Sequence, residues 1–195
     1  VNPSDVSGNY DFVSRSGEKQ PISPPEGGFT KIKIGAAWDN VTVEETSMFG
    51  LIKRKKKANI DVDLGCLYEL QDGTRGAIQA FGNLYGALKK PPFMRLSGDE
   101  RTGDSEGDDE FIMINGKEWS NIKRILIYTY IYEGALDWAQ VKPQIQIRVP
   151  NEPPTVVTLS AHMKDLGLCV IAELENVRNG IVVTNYTEYF PGHSE

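Results

Sequence analysis

The ten residues Asp61-Val62-Asp63-Leu64-Gly65-Cys66-Leu67-Tyr68-Glu69-Leu70 constrain the fold more than any other stretch of this chain. Val62, Leu64, Cys66, Tyr68 and Leu70 share one side of a period-two repeat, and Asp61, Asp63, Gly65, Leu67 and Glu69 share the other. Such alternation fits a half-buried β-strand and no helix. It recurs in Lys31-Ile32-Lys33-Ile34, running on to Trp38 and Asp39. It recurs again where Gln144, Gln146 and Arg148 alternate with Ile145, Ile147 and Val149, which predicts a one-sided strand. Further strands are expected over 77–81, 111–114, 155–159, 168–174 and 181–186. The stretch 124–132 is nearly all apolar or aromatic, which predicts a strand at a sheet centre covered on both faces. Asp72-Gly73 and Asn179-Gly180 are hairpin-turn dipeptides. One helical turn is expected within 135–141. At least eight short strands with almost no helical periodicity predict an all-β fold, a two-sheet antiparallel β-sandwich with long loops.

Residues 1–28 lack periodicity. Pro21, Pro24 and Pro25 stand near Gly27 and Gly28, so this stretch reads as a linker or strap, with order beginning at Phe29 or Lys31 and one domain filling 29–195. A length of 195 residues allows about one domain with a substantial core, and 39% hydrophobic with 25% charged residues is ordinary globular composition. No apolar run approaches a membrane span, and no signal peptide is visible. The chain begins at Val1 rather than Met, which leaves room for an upstream segment. Cys66 and Cys169 lie in apolar strand-like runs. They make no disulfide framework, suit a reducing compartment and so a cytoplasmic location, and are expected as buried, inert thiols.

Charge is distributed unevenly. Between Asp99 and Glu110, seven carboxylates (Asp99, Glu100, Asp104, Glu106, Asp108, Asp109 and Glu110) face one arginine, Arg101. The local charge therefore equals the formal net charge of the whole chain, −6. Two readings fit: a solvated acidic loop, or a loop holding a hard cation, since Ca²⁺ takes about 6–8 oxygen ligands. Asp61 and Asp63 point to the same side of their strand, about 6.6 Å apart, and can reach one ion or a pair of ions. Away from this loop the charges balance, so no global field points to nucleic acid. The basic run Lys53-Arg54-Lys55-Lys56-Lys57 reads as a solvated loop. It lacks the interleaved aromatics that stack bases, and an anionic partner or lipid surface stays open to it.

Several catalytic constellations fail on residue types. His162 and His193 are the only histidines, which excludes a multi-histidine zinc site and gives a histidine-based triad little support. No Walker loop or dinucleotide glycine fingerprint is present. The acidic loop is not an EF-hand. It spans twelve residues and ends in Glu110, but Arg101 and Gly103 stand where that loop needs Asp or Asn.

Residues 97–110, Ser-Gly-Asp-Glu-Arg-Thr-Gly-Asp-Ser-Glu-Gly-Asp-Asp-Glu, resemble the Gly-Asp-Asn-x-Thr-Gly…Gly-Asp-Asp-Glu signature of the TerD family of tellurite-resistance and stress proteins. Ile34-Gly35-Ala36-Ala37-Trp38-Asp39 resembles that family's Gly-x-x-Trp-Asp strand, and Ile60-Asp61-Val62-Asp63-Leu64 its Asp-Leu-Asp strand. Trp138-Ala139-Gln140-Val141, followed by Ile147-Arg148-Val149, is similar to its Phe-Gly-Gln-Val and Ile-Arg-Val pair. Phe81-Gly82-Asn83-Leu84-Tyr85-Gly86 and Leu168-Cys169-Val170-Ile171-Ala172 resemble the TerA-like branch. The resemblance implies a bacterial, calcium-binding β-sandwich with two neighbouring Ca²⁺ sites and a role in tellurite and other stress resistance. It brings no catalytic activity with it. The implied ligands are Asp61, Asp63, Asp99, Asp104, Glu106, Asp108, Asp109 and Glu110, with Asp39, Thr102 and Gly103 as weaker members.

The expected function is thus a non-enzymatic calcium-dependent structural or interaction module. Its expected partners are other stress-response proteins, at the membrane surface but without an integral segment, and no nucleic acid. Two alternatives stay open: an enzyme using the divalent ion as Lewis acid, and a module binding anionic lipid through Ca²⁺ with help from Lys53–Lys57.

Overall fold

The alternating segments become strands of two facing sheets. A computed structural model describes residues 11–38, 42–46, 53–57, 61–97, 110–133 and 136–192. In chain order the strands are β1 (Asp11–Val13), β2 (Lys19–Ile22), β3 (Lys31–Ala37), β4 (Thr42–Thr46), β5 (Lys53–Lys57), β6 (Asp61–Leu70), β7 (Arg75–Ile78), β8 (Gly86–Ala87), β9 (Met94–Leu96), β10 (Glu110–Asn115), β11 (Ile122–Glu133), β12 (Gln144–Arg148), β13 (Thr155–Thr158), β14 (Leu168–Val177) and β15 (Gly180–Phe190). A single helical turn, α1 (Trp138–Val141), precedes β12. The first sheet has the order β1-β13-β12-β3-β10-β9-β8 and the second β2-β15-β14-β11-β6-β7, while β4 and β5 pair only with each other. The described pairings are antiparallel except that of β1 with β13.

The apolar residues of the alternating strands meet in one core, and in β3 the intervening Lys33 and Gly35 are buried as well. Ile32 and Ile34 of β3, Ile112 and Ile114 of β10, and Ile145 and Ile147 of β12 enter one core with Leu64 and Cys66 of β6, Ile125 and Ile127 of β11, and Ile171 and Leu174 of β14. The fold is the expected β-sandwich. Cys66 and Cys169 are free and buried, and burial pushes both thiols up to about 12. That removes the thiolate a reactive cysteine needs.

Several expectations require correction. The N-terminal stretch, read as unordered up to Phe29, supplies an edge strand to each sheet, β1 beside β13 and β2 beside β15. These strands are three and four residues long, too short for periodicity to show. Pro21 within β2 is tolerated because an edge strand leaves one side of its backbone unpaired. The basic run is a strand and not a loop. Five consecutive cations have no alternation to read, and the register comes from β4, which sets Glu44 opposite Lys55 and Glu45 opposite Arg54.

The strand expected over 77–81 is β7, ending at Ile78, and residues 81–83 form a 3-10 turn. β11 does lie inside its sheet, between β14 and β6. Yet its outer side is covered only toward one end, where Tyr130 is buried. Lys123 and Arg124 are exposed, and Leu126 and Tyr128 are partly so. β12 departs the other way, because its polar side is buried too: Gln146 is fully buried and Gln144 is 7% exposed. β12 sits between β13 and β3, and Gln146 Oε1 accepts a hydrogen bond from the Arg148 guanidinium, so part of the polarity is satisfied internally. The final hairpin turns one residue earlier than expected. Arg178 and Asn179 take φ of 52° and 67°, and Val177 pairs with Gly180. Positive φ at both central residues is the type I′ turn that suits the twist of a hairpin.

Two residues allow direct tests of this packing. Gly116 donates its N–H to the Thr30 carbonyl, and a Cβ there would come within 2.7 Å of the Thr30 backbone. Backbone cannot swing aside as a side chain can. Gly116→Ala should therefore lower unfolding free energy by about 1–3 kcal/mol, as overpacking does, read as a reduced urea midpoint. Glu69 is buried on the outer side of β6 and is held by Arg75, Lys123 and Arg124. The hydrogen bond from Arg75, with support from Lys123, holds its carboxyl below the usual carboxylate range. Its contribution is therefore complete above the ordinary glutamate value of about 4.3 and is lost as pH falls through the lowered folded value. The stability gap between the parent and Glu69→Gln should stay constant from about pH 7 to pH 5 and shrink in more acid solution, measured by urea unfolding at each pH.

Candidate metal centre

Strand pairing brings the two ends of the acidic connection together. β9 and β10 form an antiparallel pair with Leu96 opposite Ile112. Beyond it, Ser97 N–H donates to the Phe111 carbonyl at 2.9 Å, and Phe111 N–H donates to Ser97 Oγ at 3.3 Å. Residues 98–109 span this closed base. Glu110, the last acidic residue, lies opposite Ala36 near the end of β3, and β3 leads through Trp38 toward Asp39.

The second sheet meets the first at this end through a side chain. β7 pairs with β6 from Cys66 to Glu69 and reaches no further toward the start of β6. The Leu64 N–H lies beyond that pairing and donates to Glu110 Oε2 at 2.7 Å. A carboxylate accepting a backbone N–H makes a short, charge-assisted bond. Here it ties the end of the acidic connection to the strand that carries Asp61 and Asp63. The backbone thus brings together, at one end of the sandwich, the end of β3, the start of β6 and the facing ends of β9 and β10.

Asp63 lies on the outer side of β6, opposite Tyr130 of β11, and is half-buried. Next to it, the Tyr128 ring covers Gly65 so closely that a Cβ on Gly65 would sit 2.4 Å from the ring. The Tyr128 hydroxyl donates to Gln79 Oε1 at 2.8 Å. Burial above all, then the nearby charges of Cys66 and Asp63, push this hydroxyl up to about 12. Tyr128 is therefore a neutral donor that narrows the space beside Asp63. Sequence reading missed Tyr128 and Gln79. The signal was Gly65, since a glycine inside a strand often marks a close approach.

Of the expected ligands, the structure describes the side chains of Asp63 and Glu110 and the backbone of Asp61, which pairs opposite Glu133. Asp39, Asp99, Thr102, Gly103, Asp104, Glu106, Asp108 and Asp109 lie outside the described residues. Among the described residues, no group of three or more His, Cys, Asp or Glu side chains comes together as a metal cluster.

Comparison with known proteins bears on the same segments. The model of the TerD domain matches residues 15–157, a range that takes in β3, β6 and the β9–β10 pair. The tellurium resistance protein TerA of Alcaligenes sp is 35% identical over 184 residues, which is 94% of this chain and 53% of that protein. The stress response protein SCP2 of Bacillus subtilis (strain 168) is 30% identical over 121 residues, 60% of this chain and 58% of that protein. The chain thus spans little more than half the length of these relatives. The family match runs through most of the chain and includes every strand that frames the acidic end, so this chain belongs to the TerD domain family.

Proposed function

We propose that the chain is a calcium-binding, non-catalytic module of a tellurium-resistance and stress-response system, serving as a structural or interaction element. The observation that carries this reading is the Glu110–Leu64 hydrogen bond, because it draws the end of the acidic connection onto the strand bearing Asp61 and Asp63. The donors available at this end are carboxylates and backbone carbonyls, hard oxygen ligands that suit Ca²⁺. Soft ligands are withheld, since Cys66 points into the core as a neutral thiol. The names of the relatives, a tellurium resistance protein and a stress response protein, support the biological setting.

In this reading Asp61 and Asp63 hold the ion from the β6 side. Asp99, Asp104, Glu106, Asp108, Asp109 and Glu110 hold it from the connection, with Asp39, Thr102 and Gly103 nearby in the chain. A bound Ca²⁺ supplies the positive charge that offsets the crowded carboxylates. Glu110 keeps the connection in register with β6, and Tyr128 narrows the approach to Asp63. Two neighbouring ions match the number of carboxylates. The proposed partners are other stress-response proteins at the inner membrane surface of the cytoplasm. Among the described residues, no helix is long and apolar enough to cross a membrane.

Titration calorimetry should show Ca²⁺ binding tighter than Mg²⁺, because Mg²⁺ demands a near-ideal octahedron that a flexible carboxylate set does not impose. Equal or tighter Mg²⁺ binding would overturn the assignment. Stripping with EDTA should lower the melting temperature. Calcium at 100 times its dissociation constant stabilises by about 2.7 kcal/mol, so an unchanged midpoint would reduce the connection to a solvated acidic segment. Asp61→Asn and Asp63→Asn should each weaken calcium binding while leaving the far-UV circular dichroism intact. Tyr68→Ala and Leu70→Ala, on the opposite side of β6, should lower stability and leave calcium affinity unchanged.

A further inference from the structure

The outer side of the second sheet carries two parallel rows that the metal reading leaves unused. In one, Arg124 of β11, Glu69 of β6 and Arg75 of β7 stand opposite one another across three strands. In the other, Leu126, Leu67 and Ala77 do the same, one step along. Between them they line an open groove of about 570 Å³, inside the range of about 300–1,000 Å³ typical of small-molecule sites. Leu67 is 48% exposed on its floor. Glu69 lies six residues along β6 from Asp63, about 20 Å away, so this is a separate place from the acidic end.

The charged row is built around a buried carboxylate. Glu69 has 8% of its side chain exposed. Arg75 Nε meets its Oε2 at 2.6 Å, Arg124 Nε meets its Oε1 at 3.3 Å, and Lys123 Nζ lies 3.4 Å from Oε1. The three cations are themselves 78%, 45% and 50% exposed. The three cations are offset by Glu69 and by two further carboxylates on β14, so the capacity for an anion rests on the guanidinium donors and not on an excess of charge. Both guanidinium groups meet Glu69 through the inner nitrogen, which leaves donor capacity on their terminal nitrogens, and a planar fork fixed in this way suits bidentate binding of a carboxylate or phosphate. Two other carboxylates are near. Glu173 accepts a hydrogen bond from the Tyr186 hydroxyl at 2.8 Å. Glu175, opposite Arg124 on β14, forms no ion pair with it among the described residues.

We propose that this groove binds a small amphipathic anion, its carboxylate or phosphate held by Arg75 and Arg124 and its short acyl or aromatic body laid along Leu126, Leu67 and Ala77. Glu69 is the positioning residue that fixes the two arginines. The site is independent of calcium.

The test is titration calorimetry of the full chain in EDTA, which separates it from the calcium reading. Four probes are used below micelle-forming concentrations: octanoate, octyl phosphate, octanol and inorganic phosphate. At least one of the two amphipathic anions should bind at one per chain, and the tighter of them identifies the headgroup. Octanol and inorganic phosphate should bind at least about tenfold more weakly, the value of one charge-assisted hydrogen bond or one short apolar contact surface. The double variant Arg75→Gln/Arg124→Gln should lose at least about tenfold in affinity. Leu67→Glu, at an exposed position that does not build the core, should lose as much by placing a carboxylate on the floor, and it serves where the double variant does not fold. Octanol binding as tightly as octanoate, unchanged affinity in either folded variant, or no saturable binding of either anion would overturn the proposal.

Discussion

A hydrogen bond from the Leu64 N–H of β6 to the Glu110 carboxylate of β10 joins the two sheets at the end from which the acidic segments continue in the sequence. β7 pairs with β6 from Cys66 to Glu69, and the Leu64 N–H beyond that pairing is satisfied by Glu110. An unpaired backbone donor is costly once water is excluded, so the bond has a structural reason to form. Its consequence reaches beyond β6. β10 belongs to one sheet and β6 to the other, so the contact couples the two layers where their acidic segments emerge.

The outer side of β6 changes character along its length, and the two proposals rest on its two ends. At its start, Asp63 sits beside the Tyr128 ring, with Gly65 giving that ring room. Further along, Leu67 opens onto a groove and Glu69 gathers three cations. Neighbouring strands amplify the difference, since β11 supplies Tyr128 and Tyr130 at one end and Leu126 and Arg124 at the other. The inner side of β6 stays uniformly apolar through Val62, Leu64, Cys66 and Leu70. Because β6 gives only one side to the core, its other side is free to vary, and there it carries Asp63, Leu67 and Glu69.

Period-two alternation made β3 and β6 legible, and along β6 Val62, Leu64, Cys66 and Leu70 are buried as the pattern predicts. It was silent for β1 and β2, which are too short, and for β5, whose residues all carry charge. It was misleading at β12, where a polar side was taken for a solvent side although Gln144 and Gln146 are buried. It overstated the cover on β11, where aromatic residues shield the sheet in place of a packed layer. For the site, one sequence showed the carboxylates and the common side of Asp61 and Asp63. It could not show that Glu110 would reach Leu64, because that contact joins residues 46 positions apart through the stacking of two sheets. Nor could it show Arg124 and Arg75 converging on Glu69, a cross-strand arrangement that exists only once the register of β11, β6 and β7 is set.

If the acidic connection and β6 hold one calcium centre, the hydrogen bond at Leu64 must respond to the ion. Hydrogen exchange of the Leu64 amide, compared between calcium-saturated and EDTA-stripped protein, reads that coupling at the atom concerned. Calcium should slow this exchange by at least about tenfold, equivalent to about 1.4 kcal/mol of local opening free energy, while amides in the middle of β14 change less. Saturable calcium binding with an unaltered Leu64 exchange rate would place the ion in the connection alone and contradict a site shared between the two sheets.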